Sequence, residues 1–484
     1  MVRALAILSM LVVGLAACDS GSAGPLIDIA IVTPAGESPL VGYDLIQVAI
    51  RQGEAEVVTS EGEVTPDGFD VQVEITDYAQ AVDLSVVLTG PGGARVIGGA
   101  PTFLPGETGR IGDPQGLVVV AVGESHTCAV VANMSLEDRR SSFGFSQQGT
   151  FASALGGVDA AGPSDTATFL DLLRLGTNDD PEQNGRLTPL PAPIGPARSF
   201  AYGNVRALVL SALEGPFSYD ITAPCDDPEN PPPGGCAVHS VPAGLHRGVS
   251  NASGALELSN GGVVVVGGDG TGDPSADVSW IADDGQTIRT RLTTGRLRPL
   301  LVELDQEAVL VVGGELGGAY AEVVRRGEPV GDPVEGGRID GLVRVGGALF
   351  ADPTGQSVLL VGGLTPDEMR IPETELFTGC PSACRIGTGP AWAGARFRPT
   401  FLPRRDEGGL ILGGGDPPVS TVERVDFSDS RAPAIVAHGP LEVPRRDASA
   451  LALSNGVVFV AGGRDASGPR LDVEMCFPTN VTLP

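Results

Sequence analysis

Residues 263–268 read Val-Val-Val-Val-Gly-Gly, an apolar run that ends in a pair of glycines. From Gly267 to Gly462 the pattern returns at intervals of 46 to 51 residues, and one further copy lies upstream. The resulting pairs are Gly156-Gly157, Gly267-Gly268, Gly313-Gly314, Gly362-Gly363, Gly413-Gly414 and Gly462-Gly463. Short Val/Ile/Leu runs bounded by glycine predict buried β-strands. A period near fifty residues predicts an array of small sheets of similar design.

Each unit contains more than one predicted strand. A degenerate copy without glycines fits at residues 207–211, in the gap of 111 residues between Gly156 and Gly267. A further strand follows each glycine pair from Gly267 onward, and arginines precede the glycine position of each unit, at Arg140, Arg198, Arg247, Arg298, Arg344, Arg396 and Arg445. Three or four strands per unit of this length are typical of propeller blades. Because glycine permits close backbone approach where blades crowd together, the glycine pairs are interpreted as structural.

The strand-Gly-Gly unit resembles the kelch repeat over residues 143–477, although the Tyr and Trp expected later in each repeat are mostly absent. The resemblance implies a β-propeller of seven blades, or of six if the unit at residues 207–211 is not a blade. Residues 120–130 resemble a single RCC1-type repeat. We interpret them as a strand that joins the last blade and places Cys128 beside Cys476. The propeller is expected to span residues 115–478.

The region 26–112 contains short segments in which apolar residues occupy every second position, such as Ile27–Val32 and Val82–Leu88. This alternation predicts strands with one buried face. Five to seven such strands suit a small β-sandwich similar in architecture to immunoglobulin-like or fibronectin-type-III-like modules.

The N-terminus carries export signals. Residues 1–17 combine one positive charge, a short apolar run and small residues, as secretory signal peptides do. Leu15-Ala16-Ala17-Cys18 resembles the lipobox of bacterial lipoproteins, which implies cleavage before Cys18, lipidation of Cys18 and a flexible tether at residues 18–25. The expected location is the bacterial cell envelope, at the outer membrane or the periplasmic face of the inner membrane.

Six cysteines remain besides Cys18, an even number that suits disulfides in an exported protein. Proximity in sequence favours Cys225–Cys236 and Cys380–Cys384, which leaves Cys128–Cys476 to join the two ends of the large region. The spacings do not match those of metal-binding cysteine motifs.

Composition and charge exclude some partners. The chain of 484 residues holds 60 acidic and 31 basic residues, and every basic residue is arginine. A net charge of −29 repels nucleic acid, and the absence of lysine removes Schiff-base chemistry. The 69 Gly and 40 Pro residues, in a chain that is 42% hydrophobic, indicate many tight turns around a substantial core.

The sequence shows no catalytic motif and predicts no cofactor. The four histidines have no metal-ligand spacing, and the five tyrosines do not match the copper-ligand pattern of galactose-oxidase-like propellers. Asp269, Asp273 and Asp277 form a calcium candidate against the alternative of solvated loop carboxylates. The predicted function is that of a monomeric, membrane-anchored, non-catalytic module that binds a protein or glycan through its propeller loops. The alternative is an oxidase or sugar-processing enzyme with its site at the channel mouth.

Overall fold

The protein is described by a computed structural model that covers residues 27–53, 57–65, 68–69, 71, 80–104, 116–177, 190, 192–203, 205–211, 215–220, 238–269, 274–314, 320–336, 346–365, 367–404 and 408–478. Within these ranges the regular structure is β, apart from one short 3-10 turn at Pro91–Gly93. In the same ranges, no helix has the length and apolar character needed to cross a membrane. The all-β class is therefore confirmed.

The N-terminal region forms one seven-stranded sheet that curves into a half-barrel. Its strands β1 to β7 are Ile27–Val32, Leu45–Gln52, Val58–Thr65, Gly68–Phe69, Val82–Thr89, Arg95–Gly99 and Gly116–Glu124. The order across the sheet is β1-β7-β6-β5-β2-β3-β4, in which β1 runs parallel to β7 and the other pairs are antiparallel. Among the described residues the expected sandwich is thus a single curved sheet.

This sheet extends beyond the boundary expected from the sequence. Strand β7, Gly116–Glu124, was assigned to the propeller, but it pairs with β1 and β6. The RCC1-like stretch at residues 120–130 therefore belongs to two strands, because its second half begins β8, Cys128–Arg140. The Gly/Pro-rich composition of residues 101–114 suggested a domain boundary, whereas the hydrogen-bonding partners of the following strand keep it in the first sheet.

Seven further sheets follow, one for each propeller blade. Blades 1 to 3 are built from β9 to β20, which are Gly144–Gln148, Phe151–Leu155, Ala167–Asp171, Gly176–Thr177, Ala197–Tyr202, Arg206–Ser211, Phe217–Asp220, Val238–His239, Gly254–Glu257, Val263–Val266, Asp277–Ile281 and Thr287–Arg291. Blades 4 to 6 are built from β21 to β32, which are Leu300–Asp305, Ala308–Val312, Ala321–Arg325, Asp332–Pro333, Ala348–Ala351, Ser357–Val361, Glu375–Thr378, Arg385–Thr388, Thr400–Arg404, Gly408–Leu412, Val422–Asp426 and Ala434–His438. Blade 7 contains β33 to β36, which are Ser449–Ala452, Val458–Ala461, Arg464–Asp465 and Gly468–Cys476.

The blades close into a ring. The innermost strand of each blade, from β9 through β33, contacts the innermost strands of both neighbours, and β33 returns to β9. Strand β8, which precedes blade 1 in the chain, pairs with β36 and completes blade 7. Cys128 stands opposite Cys476 in this pairing, and the two form a disulfide. The seven-bladed prediction is confirmed, and the degenerate unit at residues 207–211 is the second strand of blade 2.

The second strand of each blade explains why its sequence is apolar without alternation. Val263–Val266 are all fully buried, as are Val309–Val311 and Val358–Val361. These strands lie between two neighbouring blades, so both of their faces are buried. The glycines that follow them turn the chain at the edge of the packed layer.

The N-terminal sheet packs against blades 7 and 1. One apolar core of this region holds residues such as Ile46, Val48 and Phe103. The other face of the sheet contributes Val87 and Ile97, which join a shared core with the apolar residues of blades 7 and 1. Strand β5 is consequently buried along nearly its whole length, rather than at every second residue as the alternation predicted.

Candidate binding face of the propeller

The propeller has two faces, which we name by what they carry. The mouth face is the one at which the innermost strand of each blade begins. It contains two kinds of segment: those that lead into an innermost strand, such as 292–299 and 439–448, and those that follow a glycine pair, such as 413–421. The innermost strands end at the sheet face. There, the Asn455 side chain donates a hydrogen bond of 2.7 Å to Ala100 O, and Val119 N donates one of 2.7 Å to Leu173 O. The N-terminal sheet thus occupies the sheet face at blades 7 and 1.

The predicted glycine pairs lie where the second strands reach the mouth face. Every member of the six pairs has a positive φ, which L-residues with side chains rarely adopt. At Gly267, where φ is +68°, an added Cβ would stand 2.4 Å from Arg296 O of the next blade. This contact confirms a structural reason for glycine at that position.

Hydrogen bonds from basic side chains connect the segment before an innermost strand with the segment that follows the glycine pair. In four blades an arginine donates to the carbonyl of the first glycine of the pair, and in blade 3 the histidine ring of His246 lies 2.9 Å from Gly267 O. The arginine-carbonyl contacts are Arg140 to Gly156, Arg296 to Gly313, Arg396 to Gly413 and Arg445 to Gly462. Each basic group lies in the segment before an innermost strand, so it anchors that segment to the loop of the same blade.

Carboxylates, two of them fully buried, neutralise three of these arginines. Arg296 pairs with Glu322 at 2.7 Å and Arg445 pairs with Glu474, and all four side chains are fully buried. Burial raises the pKa of Glu474 above its ordinary value, and Arg445 opposes that shift. Arg396 pairs in the same way with Glu423. The Arg296–Glu322 and Arg445–Glu474 pairs have no contact with solvent, whereas Arg396 and Glu423 remain 7% and 15% exposed.

The arginine periodicity seen in the sequence needs correction in two blades. In blade 4 the buried residue is Arg296, whereas Arg298 is exposed. In blade 3 His246 takes the position beside the exposed Arg247, and it meets Ser279 Oγ through Nδ1 at 2.8 Å instead of a glutamate. Burial lowers the pKa of His246, which favours the neutral ring there. Arg344 lies outside the described residues.

Two residues after the buried basic group, the chain adopts a left-handed conformation. The non-glycine residues there are Ser142, Arg298, Arg398 and Asp447, with φ between +46° and +54°, and in blade 3 the position is Gly248. The backbones of several blades connect at this level, since Asp447 N donates to Arg398 O and Ser142 N donates to Asp447 O. These residues surround the entrance of the central channel.

Two groups of arginines lie at this entrance. In blades 6 and 7, Arg398 and Arg446 approach Asp447 at 3.8 and 3.9 Å, and Arg446 also pairs with Asp416 at 3.1 Å. Burial raises the pKa of Asp447, while Arg398, Arg446 and Arg464 oppose the shift. In blades 2 and 4 the arginine pair, Arg198 and Arg298, lies near the loop of blade 3. The mouth face therefore carries arginines from blades 2, 4, 6 and 7.

The channel itself holds a carboxyl group whose protonation is shifted. Glu257, at the end of β17, accepts a hydrogen bond of 2.5 Å from Ala201 N, which belongs to the free edge of the neighbouring innermost strand. The surrounding ring of strands desolvates this carboxyl and raises its pKa to about 7, although the side chain still contacts solvent.

The calcium candidate is not assembled in the described part of the chain. Asp269 accepts a hydrogen bond of 2.5 Å from Ser250 Oγ, and Asp277 pairs with Arg291 at 3.2 Å. Asp273 lies outside the described residues. Among those that are described, no group of three or more His, Cys, Asp or Glu side chains is placed to hold a metal ion.

The remaining cysteines and two of the tyrosines are found as follows. The Cys380–Cys384 disulfide is present in the loop between the last two strands of blade 5. Cys18, Cys225 and Cys236 lie outside the described residues. Tyr202 and Tyr320 use their hydroxyl groups within the blades, with Ser218 at 2.5 Å and Glu375 at 2.9 Å. The two tyrosines thus serve different blades rather than one site.

The similarity of this chain to known proteins is weak. No protein-family model and no curated protein matches the chain. Among solved structures, YjhT is 11% identical with a TM-score of 0.40, and the match covers 70% of this chain and 95% of YjhT. A fungal alcohol oxidase of the AA5 family in complex with copper is 12% identical with a TM-score of 0.46, over 73% of this chain and 76% of the oxidase. Neither similarity carries an argument about function.

Proposed function

We propose that this protein is a lipid-anchored module of a bacterial cell envelope that binds a protein or glycan, without catalysis, through the mouth face of its propeller. The observation that carries the proposal is the position of the N-terminal sheet. It packs on the sheet face through Asn455 and the shared apolar core, so it leaves the mouth face unoccupied by its own strands. A tether that precedes the sheet would hold the protein with its loops available to a partner.

The arginines that are paired inside the blades support a binding function rather than a catalytic one. Arg296, Arg396 and Arg445 are held by glutamates and by backbone carbonyls. Such groups stiffen the loops that follow them, and rigid loops on a packed scaffold are common binding surfaces. The proposed ligand surface is therefore the exposed part of these loops.

A matched pair of exposed apolar residues tests which face binds. Met369 lies in a mouth-face loop of blade 5 and is 63% exposed, whereas Val330 lies in a sheet-face loop of blade 4 and is 47% exposed. The protein with Cys18→Ala is used as bait on envelope extracts and on an array of envelope glycans. We expect Met369→Glu to reduce capture at least severalfold and Val330→Glu to leave it unchanged.

Anchoring is tested separately in the cell. Cys18→Ala should move the protein from the membrane fraction to the soluble fraction, because the acyl chains on that cysteine would be missing. Unchanged fractionation would contradict lipid anchoring. Capture that is equally sensitive to both glutamate substitutions, or to neither, would contradict binding by the mouth face.

A further inference from the structure

We propose that the arginine pair, Arg198 and Arg298, forms a binding site for the carboxylate group of a small ligand at the mouth of the channel. The inference deepens the proposed function, on which it rests for the location of the binding face. It adds a specific site and the chemical class of the group that the site takes.

The geometry brings both arginines to one short loop. Arg198, on the innermost strand of blade 2, donates through Nη2 to Asn251 O at 2.9 Å and to Ser253 O at 2.6 Å. Arg298, which precedes the innermost strand of blade 4, donates its backbone N–H to Ala252 O at 2.6 Å. Arg198 through its side chain and Arg298 through its backbone therefore contact the same three consecutive residues of blade 3.

The pair lacks a counter-charge in the described part of the chain. No carboxylate there forms an ion pair with Arg198 or Arg298, in contrast to Arg398 and Arg446, which have Asp447. Burial lowers the pKa of Arg198 to about 10, and the nearby positive charge of Arg298 adds to the effect. Two neighbouring cations, of which Arg198 is half-buried and Arg298 is exposed, attract an anion more strongly than either does alone.

The backbone also presents Arg298 to solvent. Its φ is +50°, a left-handed conformation that residues with a side chain rarely adopt, and the matching position of blade 3 is Gly248. The Arg298 side chain is exposed. In contrast, Arg296, two residues earlier, is hydrogen-bonded to Gly313 O and to Glu322 within the blade. The turn thus separates one arginine that holds the structure from one that faces the entrance.

The charge balance favours a singly charged carboxylate over a larger anion. A guanidinium group offers parallel N–H donors that match the two oxygens of a carboxylate. The chain carries a net charge of −29, and Asp447 and Asp269 lie on the same face, so a polyanion would be repelled as a whole. A small ligand with one carboxylate meets the arginines with the least repulsion from these acids.

Titration of the purified protein with charged and neutral probes tests the site. Galacturonate is compared with galactose, and N-acetylglycine with N-acetylglycinamide, by calorimetry at low ionic strength; inorganic phosphate forms a further arm. We expect each carboxylate to bind at least about tenfold more tightly than its neutral counterpart. The relative affinities of galacturonate and N-acetylglycine show whether the carboxylate is that of a sugar or of a peptide.

Substitutions locate the binding. Arg298→Gln should weaken carboxylate binding about tenfold or more, and Arg198→Gln should do the same if that variant folds. The control is Arg206→Gln, which removes the same charge at the sheet-face end of blade 2, where Arg206 is 42% exposed and pairs with Asp220. Because Arg298 is exposed, its substitution decides the matter even if the Arg198 variant does not fold.

The inference fails if charged and neutral probes bind equally, if phosphate binds more tightly than the carboxylates, or if Arg298→Gln changes affinity no more than Arg206→Gln does. The proposed function can fail on its own. The purified protein could bind carboxylates at the arginine pair while Met369→Glu leaves its capture of envelope partners unchanged. That result would support the carboxylate site and contradict binding of a partner by the mouth face.

Discussion

Arg296 and Glu322 show how charged residues act as structural parts of a blade. Arg296 donates to Gly313 O, to Tyr320 O and to Glu322, and neither charged side chain touches solvent. Glu322 also accepts a hydrogen bond of 2.7 Å from Thr293 N. The pair thus connects the segment before an innermost strand with the second and third strands of its blade. The energetic role of such a pair depends on both partners being present.

We predict that Arg296→Met lowers the free energy of unfolding by about 3–5 kcal/mol, because it leaves Glu322 buried without its cation. The double variant Arg296→Met/Glu322→Leu should recover most of this loss. The matched exposed pair is Arg291–Asp277, with side chains 66% and 39% exposed, where Arg291→Met should lower the stability by less than about 1 kcal/mol.

Chemical denaturation of the four proteins measures these differences. A loss for Arg291→Met as large as that for Arg296→Met would contradict a special role for the buried pair. A double variant no more stable than Arg296→Met would show that the uncompensated carboxylate is not the source of the loss.

At the scale of elements, strand β8 decides how the propeller is held together. It comes from the N-terminal side of the chain and pairs with β36 at the C-terminal side. The Cys128–Cys476 disulfide joins the two strands across a sequence separation of 348 residues, whereas Cys380–Cys384 spans a separation of 4. A cross-link that closes a long loop restricts the unfolded chain more than one that closes a short loop.

Removing the two disulfides should therefore have different effects. In the chain-entropy model, Cys128→Ser/Cys476→Ser lowers the stability by about 6 kcal/mol and Cys380→Ser/Cys384→Ser by about 2 kcal/mol. Thermal unfolding of both double variants under non-reducing conditions makes the comparison, with each variant as the control for the other. Equal reductions in Tm would argue against a dominant role for the ring closure.

At the scale of the whole molecule, the N-terminal sheet and the propeller share a core. Ile97 and Val87 on one side and Phe459 and Met475 on the other belong to the same apolar cluster, and each is nearly fully buried. An interface of this kind couples the unfolding of the two parts, because separating them exposes apolar surface to water. It also fixes which face of the propeller the sheet covers.

We expect Ile97→Asp to divide the thermal unfolding of the protein into two separate transitions, since a charge in the shared core weakens the coupling between sheet and propeller. Val58→Asp, on the same sheet at a position 51% exposed, is the control and should preserve the wild-type profile. Calorimetry distinguishes the two outcomes. A profile for Ile97→Asp as cooperative as that of the control would mean that the shared core does not couple the parts.

Much of this architecture follows from local patterns in the chain. The spacing of the glycine pairs predicts the blades because each pair ends a buried strand at the edge of a packed layer, and all six pairs have the positive φ that favours glycine. The degenerate copy at residues 207–211 also forms the second strand of a blade, because apolar residues are sufficient for a strand that packs between two neighbouring blades. Proximity and elimination predicted the Cys128–Cys476 and Cys380–Cys384 disulfides.

The arrangement of the charged residues was decided by the tertiary structure. In the sequence Arg296 and Arg298 are two positions apart and chemically identical, yet one is buried against Glu322 and the other faces solvent. Likewise, Arg198 and Arg298 are 100 residues apart and meet only because the ring brings blades 2 and 4 to the same loop. The sequence by itself determined the strands, their repeat and most of the turns, because backbone conformation and burial depend on local residue type. Only the closed ring decided which arginines lack a counter-charge among the residues that the structure describes, because that depends on distances between residues of different blades.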